Sequence, residues 1–138
     1  MAKGIVLCDT DVLIDYLDNS QKRHQKTKEV LENEIFLSNI IISPITNMEL
    51  LIGAKNKREL NQISKSLKRF GSLLLNNEIS RVSVDLIKKY NLSHGLAIPD
   101  SIIAATALVV GIALFTFNKK DYQFIGGLKL YNPESFRD

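Results

Sequence analysis

The chain has 138 residues, 45% hydrophobic and 24% charged, with a mean hydropathy near zero; this excludes a disordered or fibrous chain and suits one globular domain with its own core. A net charge of +3 and an isoelectric point near 9.0 permit nucleic-acid binding without requiring it. The single cysteine, Cys8, excludes an internal disulfide and lies in the apolar run Ile5-Val6-Leu7-Cys8, where it reads as a small buried hydrophobe in a reducing compartment.

That first run has the length and composition of a buried parallel strand, and Val12, Leu13, Tyr16 and Leu17 then recur at helical spacing, with Asp9 at the turn between them. Four apolar residues before Asp9 are too few for the hydrophobic region of a secretory signal. The segment 40–43 repeats the strand signal, and beyond Pro44 a second helix opens that Gly53 ends or loosens. Leu60, Ile63, Leu67 and Phe70 define an amphipathic helix whose other face carries lysines. A third strand is expected near 79–82, with Ser83 capping a helix from Val84 to Tyr90 that His94-Gly95 closes. Pro99 suits the first turn of a helix from Asp100 to Val110, whose small apolar residues leave almost no polar face and place it centrally. Segments 112–117 and 128–131 read as a fourth and a short fifth strand. The longest apolar stretch, 102–117, is broken by Gly111, so no membrane span is expected and a cytoplasmic location follows.

No repeat, low-complexity tract or linker interrupts the chain, so residues 1–138 are read as a single domain. Alternating strands and helices imply an α/β fold: a mainly parallel sheet of about four to five strands, covered on both faces, with ligands at the carboxyl ends of its strands. Those ends hold Asp9, Glu49, Asp100 and the pair Asn118 and Asp121. Each carboxylate has an ordinary explanation as well. Asp9 could cap a helix, Glu49 could close the capping-box pattern Thr46-Asn47-Met48-Glu49, and Asp100 could complement a helix dipole. Asp121 could serve a turn. As a set they would repel one another unless a cation neutralised them, and all-oxygen ligation suits Mg²⁺, with Mn²⁺ as substitute, rather than zinc. His24 and His94 match no zinc spacing, and no nucleophile elbow or polar-context cysteine supports a Ser or Cys triad. Asp9-Thr10-Asp11 has the D-x-D form of haloacid-dehalogenase phosphatases, but Val12-Leu13 is not that family's continuation. Two charge runs stand out: Asp9, Asp11, Asp15 and Asp18, and Lys55, Lys57, Arg58, Lys65, Lys68 and Arg69. A solvated helix face is the plain reading of each.

Four segments in order, 9–17, 43–54, 98–107 and 116–122, resemble the successive motifs of VapC-type PIN domains, and the resemblance spans essentially the whole chain. It implies a three-layer αβα nuclease in which Asp9 and Asp100 are the main Mg²⁺ ligands and Glu49 completes the site or orients a water. It further implies cleavage of RNA by metal-activated water, a cognate antitoxin as partner, and a homodimer built on early helices. The basic segment 55–69 is then the candidate for holding the RNA backbone. One departure stands out. Asn118 takes the place of a fourth acid found in many members, and Asp121 is the residue near enough in sequence to supply that charge. The rivals are a stand-alone RNA-processing PIN nuclease and a non-catalytic PIN-like module that binds RNA or protein.

Overall fold

The computed structural model describes residues 4–136. In chain order the elements are β1 (Val6–Cys8), α1 (Thr10–Leu17), α2 (His24–Glu29), β2 (Ile40–Ile42), α3 (Pro44–Ile52), α4 (Lys57–Leu67), β3 (Gly71–Ser72), α5 (Asn77–His94), α6 (Ile98–Val110) and β4 (Ala113–Phe115). The strands form one parallel sheet in the order β3-β2-β1-β4, with Val6, Leu7 and Cys8 paired to Ala113, Leu114 and Phe115.

Strand residues alternate between faces, and the sheet therefore divides two cores. Val6, Cys8, Ile40, Ile42 and Phe115 point into one, closed by Val12, Leu13 and Tyr16 of α1, Leu50 of α3 and Leu67 of α4. Leu7 and Leu114 point into the other, against Ile79, Leu86 and Tyr90 of α5 and Ile103, Ala104, Ala105 and Ala107 of α6. Buried alanines keep α6 slim enough to lie between the sheet and α5. It ends at Gly111, whose φ of 78° is a left-handed conformation that costs glycine nothing. Both faces of the sheet are thus covered by helices, as the αβα reading expects. Among the described residues no helix is long and apolar enough to cross a membrane.

Three expected elements differ. Residues 79–82 are helical, because Asn76 caps α5 by accepting from the Ile79 amide, and Ile79, Leu86 and Tyr90 then lie on one buried face. Ser83 is consequently inside the helix, not at its cap, and its hydroxyl donates to the Ile79 carbonyl. The third strand is instead the two-residue β3. The expected fifth strand reduces to a single parallel bridge, Leu114 to Leu130, too short to be an element. A helix absent from the expectation, α2, runs on through π-helical turns over Val30–Ile35, which bury Val30, Leu31 and Ile35.

Strand order reverses at β1, since β2 and β3 lie on one side of it and β4 on the other. In open parallel sheets this switch point opens a crevice at the carboxyl ends of the strands. Because the fold rests on two cores sharing one sheet, truncating the fully buried Leu114 is expected to cost about 2–5 kcal/mol. Urea titration of Leu114→Ala checks this, as a lower midpoint with unchanged slope.

Candidate active site

Asp9 follows β1 directly, and its backbone amide extends the ladder by donating to the Phe115 carbonyl at 2.9 Å. Its side chain is buried at 5% exposure and does two jobs. Oδ1 accepts from the Thr10 amide at 2.8 Å and caps α1, while Oδ2 accepts from the Thr116 hydroxyl at 2.8 Å. Capping and site membership are therefore not alternatives for this residue.

Glu49 does not close a capping box. Ser43 caps α3 by accepting from the Ile45 amide and Pro44 occupies its first turn, which leaves Thr46 inside the helix. Glu49 Oε1 instead accepts from the Thr10 hydroxyl at 2.6 Å, with the Thr46 hydroxyl 3.1 Å from that of Thr10. Asp100 lies in the first turn of α6, and its Oδ1 accepts from the Tyr122 hydroxyl at 3.1 Å. Thr10, Thr116 and Tyr122 thus hold the three carboxylates, and none of them stood out in the sequence. Thr10 and Thr116 could have been found as hydroxyls adjoining the ends of β1 and β4. Tyr122, wholly buried, carries no such signal.

The three carboxylates feel one another. Burial raises the pKa of Asp9 and the charge of Glu49 adds to it, against hydrogen bonds from Thr116, Thr10 and Tyr122 that lower it. Asp100 is pushed up to about 6, first by burial and then by the charges of Asp9, Asp121 and Glu49, with the Tyr122 bond opposing. Burial and the charges of Asp9 and Asp100 push the Tyr122 phenol up, so it stays protonated and donates.

Asn118 is exposed, and its backbone N–H donates to the Thr116 hydroxyl oxygen at 3.1 Å. Asp121 is also exposed and closes a short 3₁₀ turn, Lys119–Asp121, through its backbone N–H, so its side chain is not what makes the turn. Its charge still reaches Asp100. The acidic run is not a solvated face: Asp9 and Asp15 are buried, and Asp15 pairs with Arg23 at 2.6 Å. Asp11 Oδ2 accepts from the Phe117 amide at 2.9 Å, and its buried Oδ1 has no hydrogen-bond partner among the described residues. Burial, then the charge of Asp9, lifts Asp11 to about 6. Turned onto the backbone in this way, Asp11 is poorly placed as the general acid of a D-x-D phosphatase. The basic run is exposed throughout. Arg69, however, lies against Tyr16, its guanidinium 5.3 Å from the ring, toward the far end of α1 and about 10 Å from Asp9 along the helix axis. His24 bonds the Asp15 carbonyl and His94 stacks on Phe124, so both serve packing.

Among the described residues, no three acidic, histidine or cysteine side chains close into a ready-made ligand cage. Hard carboxylate oxygens set apart but mutually repelling fit Mg²⁺, which keeps several of its waters and binds through one or two carboxylates.

The PIN domain profile matches residues 6–124. This chain belongs to the PIN-domain family. It is 28% identical over 124 residues, 89% of its length and 96% of the relative's, to a Mycobacterium tuberculosis protein named Ribonuclease VapC19. Among solved structures it resembles a chain of a toxin–antitoxin complex from Klebsiella pneumoniae, at 33% identity and TM-score 0.72, covering 89% of this chain and 94% of that one. A VapBC2 complex from Rickettsia felis, at 24% identity and TM-score 0.72 over 93% and 98% of the two chains, shares the fold. The family match takes in Asp9, Glu49, Asp100 and Asp121, and the PIN scaffold is what carries them to one sheet edge.

Asp11 and Asp100 each bind a proton more tightly in the fold than in the unfolded chain. What they contribute is therefore fully present below about pH 4 and lost as pH rises through 6. In EDTA, the melting temperature should rise on acidifying from pH 7.5 to 5, and Asp100→Asn should melt higher than wild type at pH 7.5 with a flatter profile. A wild-type melting temperature that falls over this range would contradict the electrostatics described.

Proposed function

We propose that this chain is a Mg²⁺-dependent endoribonuclease, with Mn²⁺ as substitute, and the toxin of a VapBC-type toxin–antitoxin pair. The observation that carries the reading is the convergence of Asp9, Glu49 and Asp100 at the β1/β4 crevice, each held by a hydroxyl donor. The named activity of the VapC19 relative supports RNA as substrate, and the Klebsiella complex supports an antitoxin as partner.

Asp9 and Asp100 would hold the cation and Glu49 would complete the site. The cation, when bound, supplies Lewis acidity: it acidifies a water and offsets charge on the phosphodiester. The chain's own residues supply position. Thr116 and the Thr10 amide fix the Asp9 carboxylate, leaving it few rotamers. Tyr122 aims Asp100, and Thr10 aims Glu49, whose free oxygen can accept a proton from the attacking water. Asn118 offers a neutral amide at the rim and Asp121 a further negative charge. The exposed cations of α4 are assigned to the RNA backbone, which would make binding salt-dependent. A homodimer is part of the proposal.

Cleavage of a structured RNA such as transfer RNA is expected with Mg²⁺ or Mn²⁺ and not in EDTA. Asp100→Asn should lose more than about 100-fold, beyond what removing a residue that merely orients a ligand costs. Glu49→Gln should lose most activity with α3 intact, because Ser43 and not Glu49 caps that helix. Gel assays beside melting curves check both. Cleavage in EDTA, or by Asp100→Asn at near wild-type rate, would overturn the assignment.

A further inference from the structure

We propose that the cleft between the loop after β4 and the C-terminal segment is a subsite for one nucleobase of the RNA strand, beside the scissile phosphate. The inference rests on the ribonuclease reading above. The cleft measures about 180 Å³ and is lined by Arg23, Thr116, Phe117, Lys119 and Phe136, among others. It shares a wall with the carboxylate site, because Thr116 both lines it and donates to Asp9.

Its surfaces have the chemistry of a base platform. The Arg23 guanidinium lies 3.9 Å from the centre of the Phe117 ring, and its Nε donates to the buried Asp15 at 2.6 Å, which fixes the guanidinium plane. About half of the Arg23 side chain nonetheless stays exposed, at 49%, so it is not sealed inside the fold. Phe136 stands 5.5 Å from Phe117 at a tilt of 54°, and both rings are only partly buried. The segment bearing Phe136 is anchored, since the Tyr131 hydroxyl and the Glu134 amide both donate to Glu34. Guanidinium planes and aromatic rings are the side chains on which unpaired bases stack. Cations surround them: Lys119 in the cleft wall, and the Lys26 ammonium 5.6 Å over the Phe136 ring. The volume falls below the roughly 300 Å³ at which pockets for whole small ligands begin, and so suits one flat base of a strand held elsewhere by its phosphates. The α4 cations lie on another helix, which makes this a distinct point of contact.

The test uses the metal-free protein, so no cleavage intervenes. Adenosine 5′-monophosphate and ribose 5-phosphate are titrated separately while the Arg23 Nε–H and the Phe117 and Phe136 ring resonances are followed by NMR. Adenosine monophosphate is expected to shift all three and ribose 5-phosphate to leave the rings unmoved. Phe136→Leu, which keeps bulk but not the ring, should weaken nucleotide binding about fivefold or more, the lower end of base–aromatic stacking. Arg23→Lys, which keeps the charge opposite Asp15 but not the plane, should do the same. Identical shifts from the two probes, or unweakened binding in both variants, would overturn the subsite. Cleavage of RNA by a wild type that does not discriminate the probes would sink the subsite alone. Discrimination by a chain that cleaves no RNA would leave base binding in the cleft standing and overturn the ribonuclease reading, and with it the placement beside a scissile phosphate.

Discussion

Everything at the site depends on β1 lying against β4. Asp9 and Thr116 are 107 positions apart, yet the amide of one extends the ladder onto Phe115 and the hydroxyl of the other reaches back to Asp9. Parallel pairing requires a crossover, and here almost the entire chain is the crossover: the helices of both layers are laid down between the two strands. The pairing therefore forms only when both cores are in place, and the buried carboxylate has its hydroxyl donor only in the folded state. Asp9 ties local structure to this long-range contact, because one of its oxygens starts α1 while the other binds the far strand.

The same arrangement concentrates negative charge where the fold can least solvate it. Asp9, Asp11 and Asp100 all have raised proton affinity, burial being the largest cause for each. Hydrogen bonds from Thr10, Thr116 and Tyr122 orient the carboxylates but add no positive charge, so they offset only part of the repulsion. A stable monomeric fold would gain from replacing one carboxylate by an amide. On the proposed reading the ligand is a cation, and the cost borne in the empty protein is recovered on binding.

Much of this was legible in the chain. Apolar runs of strand length before Asp9, before Pro44 and after Gly111 marked β1, β2 and β4, and Gly111 itself marked the end of α6. What local pattern missed has physical causes. Residues 79–82 look like a strand in isolation, and only the wider set Asn76, Ile79, Leu86 and Tyr90 shows a capped helix with one buried face. The start of α2 is polar from His24 to Glu29, its apolar residues arriving only in the π-helical turns that follow. The capping-box motif at Thr46 was outcompeted by Ser43-Pro44, a better start three residues earlier. Asp9, Glu49 and Asp100 could be named from their places after strands and at helix starts. Of their partners, Thr10 and Thr116 had only the weak signal of hydroxyls beside strand ends, and Tyr122 had none, because it meets Asp100 only through a contact that the fold creates. The chemistry at Arg23 was hidden for the same reason, since its neighbours Asp15, Phe117 and Phe136 meet only in space.

On the proposed reading, the carboxylates gathered at the β1/β4 crevice act as one divalent-cation site. Calorimetric titration of Mn²⁺ into wild type and Asp9→Asn at pH 7.5 tests it without reference to any substrate. Saturable binding by the wild type is expected, weakened at least about tenfold in Asp9→Asn. Equal affinity in the two proteins, or no saturable binding by the wild type, would contradict it.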